Sequence, residues 1–385
     1  MVAQAESLSP TIEAMHEITL KEKIAFNFIF NEKRVYHRWY GRWFVFGLDY
    51  GRLKRVVPRI KNWFEWCREW DREGMDVEKM ADEALAKGNN FSARALYHQA
   101  VACYHIGQHI FFIDPEQKQN TQDKARRCYT KALEFYPEDQ RPIRVEIPYR
   151  DVEIPAYIHL ANKKNAPLVI YVNGMDNIKE AENHFFGQAV AGVGMNFLAF
   201  DGPGQAELWQ DMKFDLDYHK AVSAIIDWLF ANNEKYMMNL NKIATLGFSL
   251  GGHLAPLAAA HDKRICCTVG NSGFAQIGGL AGARKLNPIW QRGVNFMTGY
   301  YDFAEAVKHF DLDITKAPPL ECPLLFFHAG RDEVMPTPKK QADMIMNWAR
   351  GEKELKYYPE AEHCTVDRLD EVFPYIIDWL KKKLN

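Results

Sequence analysis

Apolar residues recur every three or four positions through the first ~140 residues of the chain, the period of an amphipathic helix. The spacing predicts helices over Glu17 to Phe30, Val56 to Arg72, Val77 to Ala86 and Ala93 to Ile113. Pro58 falls near a helix start, where a missing N–H is tolerated. Small residues at Ala81, Ala84, Ala93, Ala100, Ala125 and Ala132, with Tyr97, Tyr129 and Tyr136, faintly echo a tetratricopeptide repeat. A repeat array needs about three units to bury a core. Residues 78–136 hold half that, so they read as two packed helical hairpins.

The period switches at Arg144. Arg144 to Arg150 and Val152 to Leu160 alternate with period two around Arg150-Asp151, predicting an antiparallel hairpin. Strand and helix signals then alternate to the end. Leu168–Val172, Asn196–Phe200, Lys242–Leu246, Ile265–Val269, Cys322–Phe327 and Leu355–Tyr358 read as strands, mostly continuous apolar runs suited to burial on both faces. Ile178 to Ala191, Tyr218 to Phe230, Gly252 to Ala260 and Arg368 to Leu384 read as the intervening helices. The expected fold class is α/β: a mostly parallel, doubly wound sheet with an antiparallel N-terminal edge. Residues 1–140 form a helical unit and 141–385 the sheet unit. About 50 residues, roughly 273–320, interrupt the alternation and read as an inserted lid.

Composition narrows the class. The 385 residues are 47% hydrophobic and 25% charged, ordinary for a folded chain, and the net charge is −2. No basic stretch suggests a nucleic-acid footprint. Seven scattered Cys without a C-x-x-C pair argue against a disulfide framework or a zinc site, so no metal is expected. No apolar run nears the ~18 residues of a membrane span, and the first residues lack a signal-peptide pattern. A cytoplasmic enzyme without cofactor is the expectation.

Gly247-Phe-Ser249-Leu-Gly251 is a G-x-S-x-G pentapeptide between a predicted strand and a predicted helix. A serine nucleophile in that context needs small neighbours two residues away on each side, because its backbone turns sharply. The acid and base should follow in that order. Asp332 lies just past the Cys322–Phe327 strand, with Glu333 as fallback, and His363 lies in the loop after the last strand. Ser249, Asp332 and His363 are thus the candidate catalytic residues. The Leu250 N–H at the helix start is one candidate oxyanion donor. Asn173-Gly174-Met175-Asp176 follows the first central strand and offers Met175 N–H as the second, with Gly174 and Asp176 beside the substrate. Trp290, Phe296, Tyr300 and Tyr301 in the insert, and Trp39, Trp43 and Tyr50 in the helical unit, are candidate substrate-wall aromatics, each weighed against ordinary packing. His253 reads as packed, and His328 as orienting the acid loop. His105 and His109 share a helix face without a carboxylate in their motif, so they do not read as metal ligands.

The residues then carry a resemblance. Phe200-Asp-Gly-Pro-Gly-Gln-Ala-Glu207, the elbow Gly247–Gly251, Ile225-Ile-Asp-Trp-Leu229 and the tryptophan-rich Arg59–Trp70 stretch resemble α/β-hydrolases with an N-terminal helical cap. That group includes the 2,6-dihydroxypseudooxynicotine hydrolases and the fungal polyketide-shortening hydrolases. More distantly the chain resembles the fermentation-respiration switch group. The resemblance covers most of the chain. It implies C–C bond hydrolysis in 1,3-diketone-like small molecules, or ester hydrolysis in some relatives, and a homodimer. Two departures bear on pocket shape. Ala206 stands where glycine is usual, and the oxyanion loop reads Asn-Gly-Met-Asp rather than a Gly-Gly turn. A carboxylesterase or thioesterase with the same machinery is the nearest rival. A binding protein on an idle hydrolase scaffold, or a cyclase using the same serine, are more remote.

Overall fold

The computed structural model describes residues 18–29 and 36–384. Helices Leu20–Ile29, Tyr36–Val45 and Tyr50–Val56 lead into three long helices, Trp66–Ala86, Asn90–Gln108 and Pro115–Leu133, which pack side by side. The two helices expected between Val56 and Ala86 are differently divided. Pro58 sits in a short 3-10 turn that stops the Tyr50–Val56 helix, and one unbroken helix then runs from Trp66. The helix expected to reach Ile113 ends at Gln108. Ile110 takes a left-handed φ of 52°, and Asp114 caps the next helix by accepting from Gln117 N. Glu17 and Phe30, the expected ends of the first helix, lie outside the described residues.

The tryptophan-rich stretch builds the core of this helical segment. Trp63 and Trp66 stack at 5.6 Å, Trp43 and Trp70 flank Trp66, and Trp66 Nε1 donates to Ile106 O. Such rings bury large apolar areas, which explains why a helical unit this polar on its outer face holds together.

The sheet follows with eight strands in the order β1-β2-β4-β3-β5-β6-β7-β8. Its strands are Ile143–Tyr149 (β1), Val152–His159 (β2), Pro167–Val172 (β3), Asn196–Phe200 (β4), Asn239–Phe248 (β5), Ile265–Asn271 (β6), Leu324–Ala329 (β7) and Lys353–Tyr358 (β8). The β1–β2 and β2–β4 pairs are antiparallel; every later pair is parallel. Strands β3, β4 and β7 are buried almost throughout, as continuous apolar runs require when helices cover both faces. Their carboxyl ends line up along one edge, where an open α/β sheet presents its functional loops. The segment between β6 and β7 folds into helices Gly279–Ala283, Pro288–Thr298 and Phe303–Lys308. It is tied down by a Gln276–Asp313 bridge and by Trp209 stacked on Phe296 at 4.4 Å. No described helix is long and apolar enough to cross a membrane.

Candidate active site

Strand β5 ends at Phe248, and the helix Leu250–His261 begins two residues later. Ser249 joins them with φ 59° and ψ −123°, a conformation L-residues rarely adopt. The glycines make the turn possible. A Cβ on Gly247 would lie 2.1 Å from Gly251 O, and one on Gly251 would lie 2.0 Å from Val172 O. The strained backbone is therefore held by main chain pressing on main chain, and it exposes the serine oxygen at the strand ends.

Two loops reach that oxygen. His363 Nε2 lies 2.8 Å from Ser249 Oγ, and His363 Nδ1 lies 2.7 Å from Asp332 Oδ2. Asp332 Oδ1 accepts from Val334 N and Met335 N, so the acid loop fixes the carboxylate as well as supplying it. All three sequence-predicted candidates thus stand in one hydrogen-bonded series. Burial opposes charge on both partners, yet the Asp332–His363 interaction outweighs it. The Asp332 carboxyl is held below its ordinary value and the His363 imidazole well above its own.

Residues that the sequence did not single out brace this series. His363 begins a tight turn in which Cys364 and Thr365 have φ of 60° and 50°. Asn271 Nδ2 donates to Cys364 O and Thr365 Oγ1, and Cys364 N donates to Ser272 Oγ. Ser272 itself has φ 51°. An Asn-Ser pair closing a strand beside the elbow is the available sequence signal. Trp39 also reaches the site, its ring 6.5 Å from His363 and 5.1 Å from His109.

The Asn173–Asp176 loop passes close to Ser249. A Cβ on Gly174 would sit 3.6 Å from Ser249 Cβ. Gln205 clamps the loop: its Nε2 donates to Asn173 O and Gly174 O, while its Oε1 accepts from Gly202 N and Tyr218 OH. The motif Asp201–Glu207 is therefore a brace for this loop. Ala206 takes φ 35°, which accounts for glycine being usual there. Asp201, Glu180 and Glu207 converge closely enough to suggest a cation site, but Lys179 Nζ occupies their centre at 2.8, 2.7 and 2.5 Å.

A cavity of about 30 Å³ adjoins Ser249. Met175, Leu250, Trp290, Val294 and Phe310 give it an apolar wall, with Ser249, Ser272 and His363 as its polar members. Trp290 thus lines the cavity at Ser249. Other expected wall aromatics are elsewhere. Tyr50 is 60% exposed and packs on Phe44; Tyr300 is 40% exposed and stacks on His309. Tyr301 lines a separate surface groove. Phe296 is buried between Phe112 and Trp209, and Trp43 in the tryptophan cluster. Amphipathic aromatics serve surface, core and pocket alike, so spacing does not sort them.

Asp176 lies behind the loop. Its carboxylate accepts from Ile110 N and sits 3.2 Å from His109 Nε2. His105, one turn earlier, lies 3.3 Å from Glu182, which Arg42 grips through Nε and Nη2 at 2.6 and 2.8 Å. His105 therefore does have a carboxylate partner and His109 a carboxylate neighbour, both contributed by distant sequence. Both pairs join the helical segment to the sheet segment. His253 is buried with Nδ1 2.7 Å from Phe274 O. His328 is buried near Asp332, and burial lowers its pKa.

Comparison with known proteins agrees with this architecture. The BD-FAE family model matches residues 155–272, from β2 through the elbow to the end of β6. The chain is 26% identical over 332 residues to the 2,6-dihydropseudooxynicotine hydrolase of Paenarthrobacter nicotinovorans, covering 84% of this chain and 86% of that protein. It is 28% identical over 263 residues to the alpha/beta hydrolase xenA of Xenoacremonium sinensis, covering 64% of this chain and 61% of that one. It thus spans about three fifths of this fungal relative's length. The crystal structure of 2,6-dihydroxy-pseudo-oxynicotine hydrolase superposes with a TM-score of 0.78 at 24% identity, over 90% of this chain and 95% of that chain. The fold is the α/β-hydrolase fold, with helices preceding the sheet.

Proposed function

We propose that this α/β-hydrolase is a serine hydrolase that cleaves a carbon–carbon bond in an apolar 1,3-dicarbonyl compound. The observation that carries the reading is the Ser249–His363–Asp332 series, placed at the mouth of a nearly all-apolar cavity. Ser249 Oγ attacks one carbonyl carbon as His363 Nε2 takes its proton, and Asp332 holds the Nδ1 proton and stabilises the imidazolium. The backbone N–H groups of Leu250 and Met175 receive the developing oxyanion, each worth roughly 10²–10³ in rate. Collapse of the intermediate breaks the bond to the central carbon. The electron pair moves into an enolate conjugated with the second carbonyl, and His363 delivers its proton there. Water, deprotonated by His363, then releases the acyl group from Ser249 as an acid.

The first ~140 residues act as a cap and residues 273–320 as a lid. A drug-sized ligand needs about 300 Å³ or more, whereas the cavity is about 30 Å³. Admission of such a substrate therefore requires these walls to part, as in other lidded enzymes. The test is a paired assay by mass spectrometry. Wild type and Ser249→Ala each meet a panel of aromatic 1,3-diketones and matched aryl esters. Serine-dependent release of an acid and a methyl ketone supports the reading. Ester cleavage alone replaces it with an esterase.

A further inference from the structure

Met175 sits between two anchors of different origin. On its N-terminal side, Gln205 from the sheet segment donates to Asn173 O and Gly174 O. On its C-terminal side stands Asp176, and the helical segment holds it. Gln108 Nε2 donates to Asp176 O at 2.9 Å, and Ile110 N donates to Asp176 Oδ2 at 3.2 Å. Among the described residues, no group of the sheet segment hydrogen-bonds Asp176. Ile110 makes its contact from a left-handed turn with φ 52°, rare for a β-branched residue.

Gln108 is fully buried at the end of the helix Asn90–Gln108. A carboxamide has two N–H donors and an oxygen with two lone pairs, and Gln108 uses all four. Its Oε1 accepts from Lys118 Nζ at 2.7 Å and from Gln122 Nε2 at 2.8 Å. Both partners are donors, so the oxygen must face them. The NH2 group is thereby turned toward Asp176 O and toward His105 Nδ1, 3.0 Å away. Lys118 and Gln122 belong to the helix Pro115–Leu133, so two helices of the helical segment aim one amide at the loop beside Ser249.

We propose that Gln108 is a positioning residue for the oxyanion: its hold on Asp176 O sets the Met175 N–H, so this donor is in place only while the helical segment is seated on the sheet. This rests on the reading of Ser249 as nucleophile and Met175 N–H as donor. The walls that part to admit a substrate therefore also loosen the donor, and their return restores it.

Calorimetric titration of the full chain with phenyl trifluoromethyl ketone and with acetophenone tests it. The first is taken up as a hemiketal. Ser249 Oγ bonds to the carbonyl carbon, its proton passes to His363 Nε2, and the π pair moves onto the oxygen, which the Met175 and Leu250 N–H groups receive. Acetophenone binds as the intact ketone and draws little on those donors. Wild type is expected to prefer the trifluoromethyl ketone, and Ser249→Ala to lose the preference. Gln108→Met and Gln108→Glu should each weaken the trifluoromethyl ketone about tenfold, the value of one net hydrogen bond, and leave acetophenone unchanged. The glutamate variant keeps an acceptor for Lys118 and Gln122, so it retains the packing should the methionine variant fail to fold. Gln99→Met removes a carboxamide that bonds Asp49 N and Gly47 O inside the helical segment, and should change neither affinity. Folded Gln108 variants that keep the wild-type preference, or that lose both ligands equally, would overturn the proposal and leave Ser249 its role. A preference absent from wild type, or kept by Ser249→Ala, would overturn the reading of Ser249 and this proposal with it.

Discussion

Ser249 and the cavity wall beside it are held by different means. Ser249 is fixed by backbone: Gly247 and Gly251 let main-chain atoms approach where any side chain would collide with a carbonyl. The wall is fixed by side chains from distant sequence: Trp290 and Val294 from Pro288–Thr298, Phe310 beyond that helix, and Met175 against Gly293. Backbone constraints leave a short local signature. Side-chain constraints leave none, because each partner alone has many other uses. The same contrast predicts where the protein tolerates change.

The largest effect is expected within the hydrogen-bonded series. Asp332→Asn should lower kcat about 10⁴-fold, because His363 loses both its orientation and the charge that stabilises its protonated form. The pH profile sharpens this. His363 acts as base only when neutral, and Asp332 raises its pKa, so kcat/KM in wild type should rise with pH through an inflection above the ordinary histidine value. Without that charge the opposing effect of burial, the largest single influence on His363, weighs more, and the inflection should move to lower pH. A pH–rate series on both proteins checks the direction.

Next come the two kinds of scaffold. Arg42→Met takes the two-pronged guanidinium from Glu182, buried between the helical and sheet segments, and leaves it His105 at 3.3 Å. It should cost roughly 3–5 kcal/mol in denaturant unfolding. Gly251→Ala forces a Cβ to 2.0 Å from Val172 O and should cost about 3 kcal/mol. It should also lose activity beyond what stability explains, because the elbow itself moves. At the bottom of the scale, Tyr50→Ala should change stability by no more than about 0.5 kcal/mol and leave kcat/KM unaltered, since the ring is largely in water. A kinetic defect there would place Tyr50 in the substrate path after all.

The same distinction explains what the sequence discloses. The buried strands β3, β4 and β7 are legible as apolar runs, and the antiparallel edge as two alternating segments around Arg150-Asp151. The hydrogen-bonded series of Ser249, Asp332 and His363 is legible because each follows a strand, in the order that a serine, acid and base would take. Asn271 and Ser272 are not, since their task is to hold a turn more than 90 residues away. His105 and His109 appear isolated on their helix because Glu182 and Asp176 come from beyond β3. Tyr300 and Phe296, four residues apart, have opposite fates, one half in water and one stacked in the core. Phe296 lies on the helix Pro288–Thr298 where it meets Trp209, whereas Gly299, at φ 75°, ends that helix before Tyr300.

The central claim is that Ser249 is the nucleophile activated by His363. Intact-protein and peptide mass spectrometry after exposure to a fluorophosphonate tests it most directly. One adduct on the peptide carrying Ser249, absent in Ser249→Ala and much slowed in folded His363→Ala, is the predicted result. Wild-type protein that stays unmodified, or carries its adduct on another residue, would contradict it.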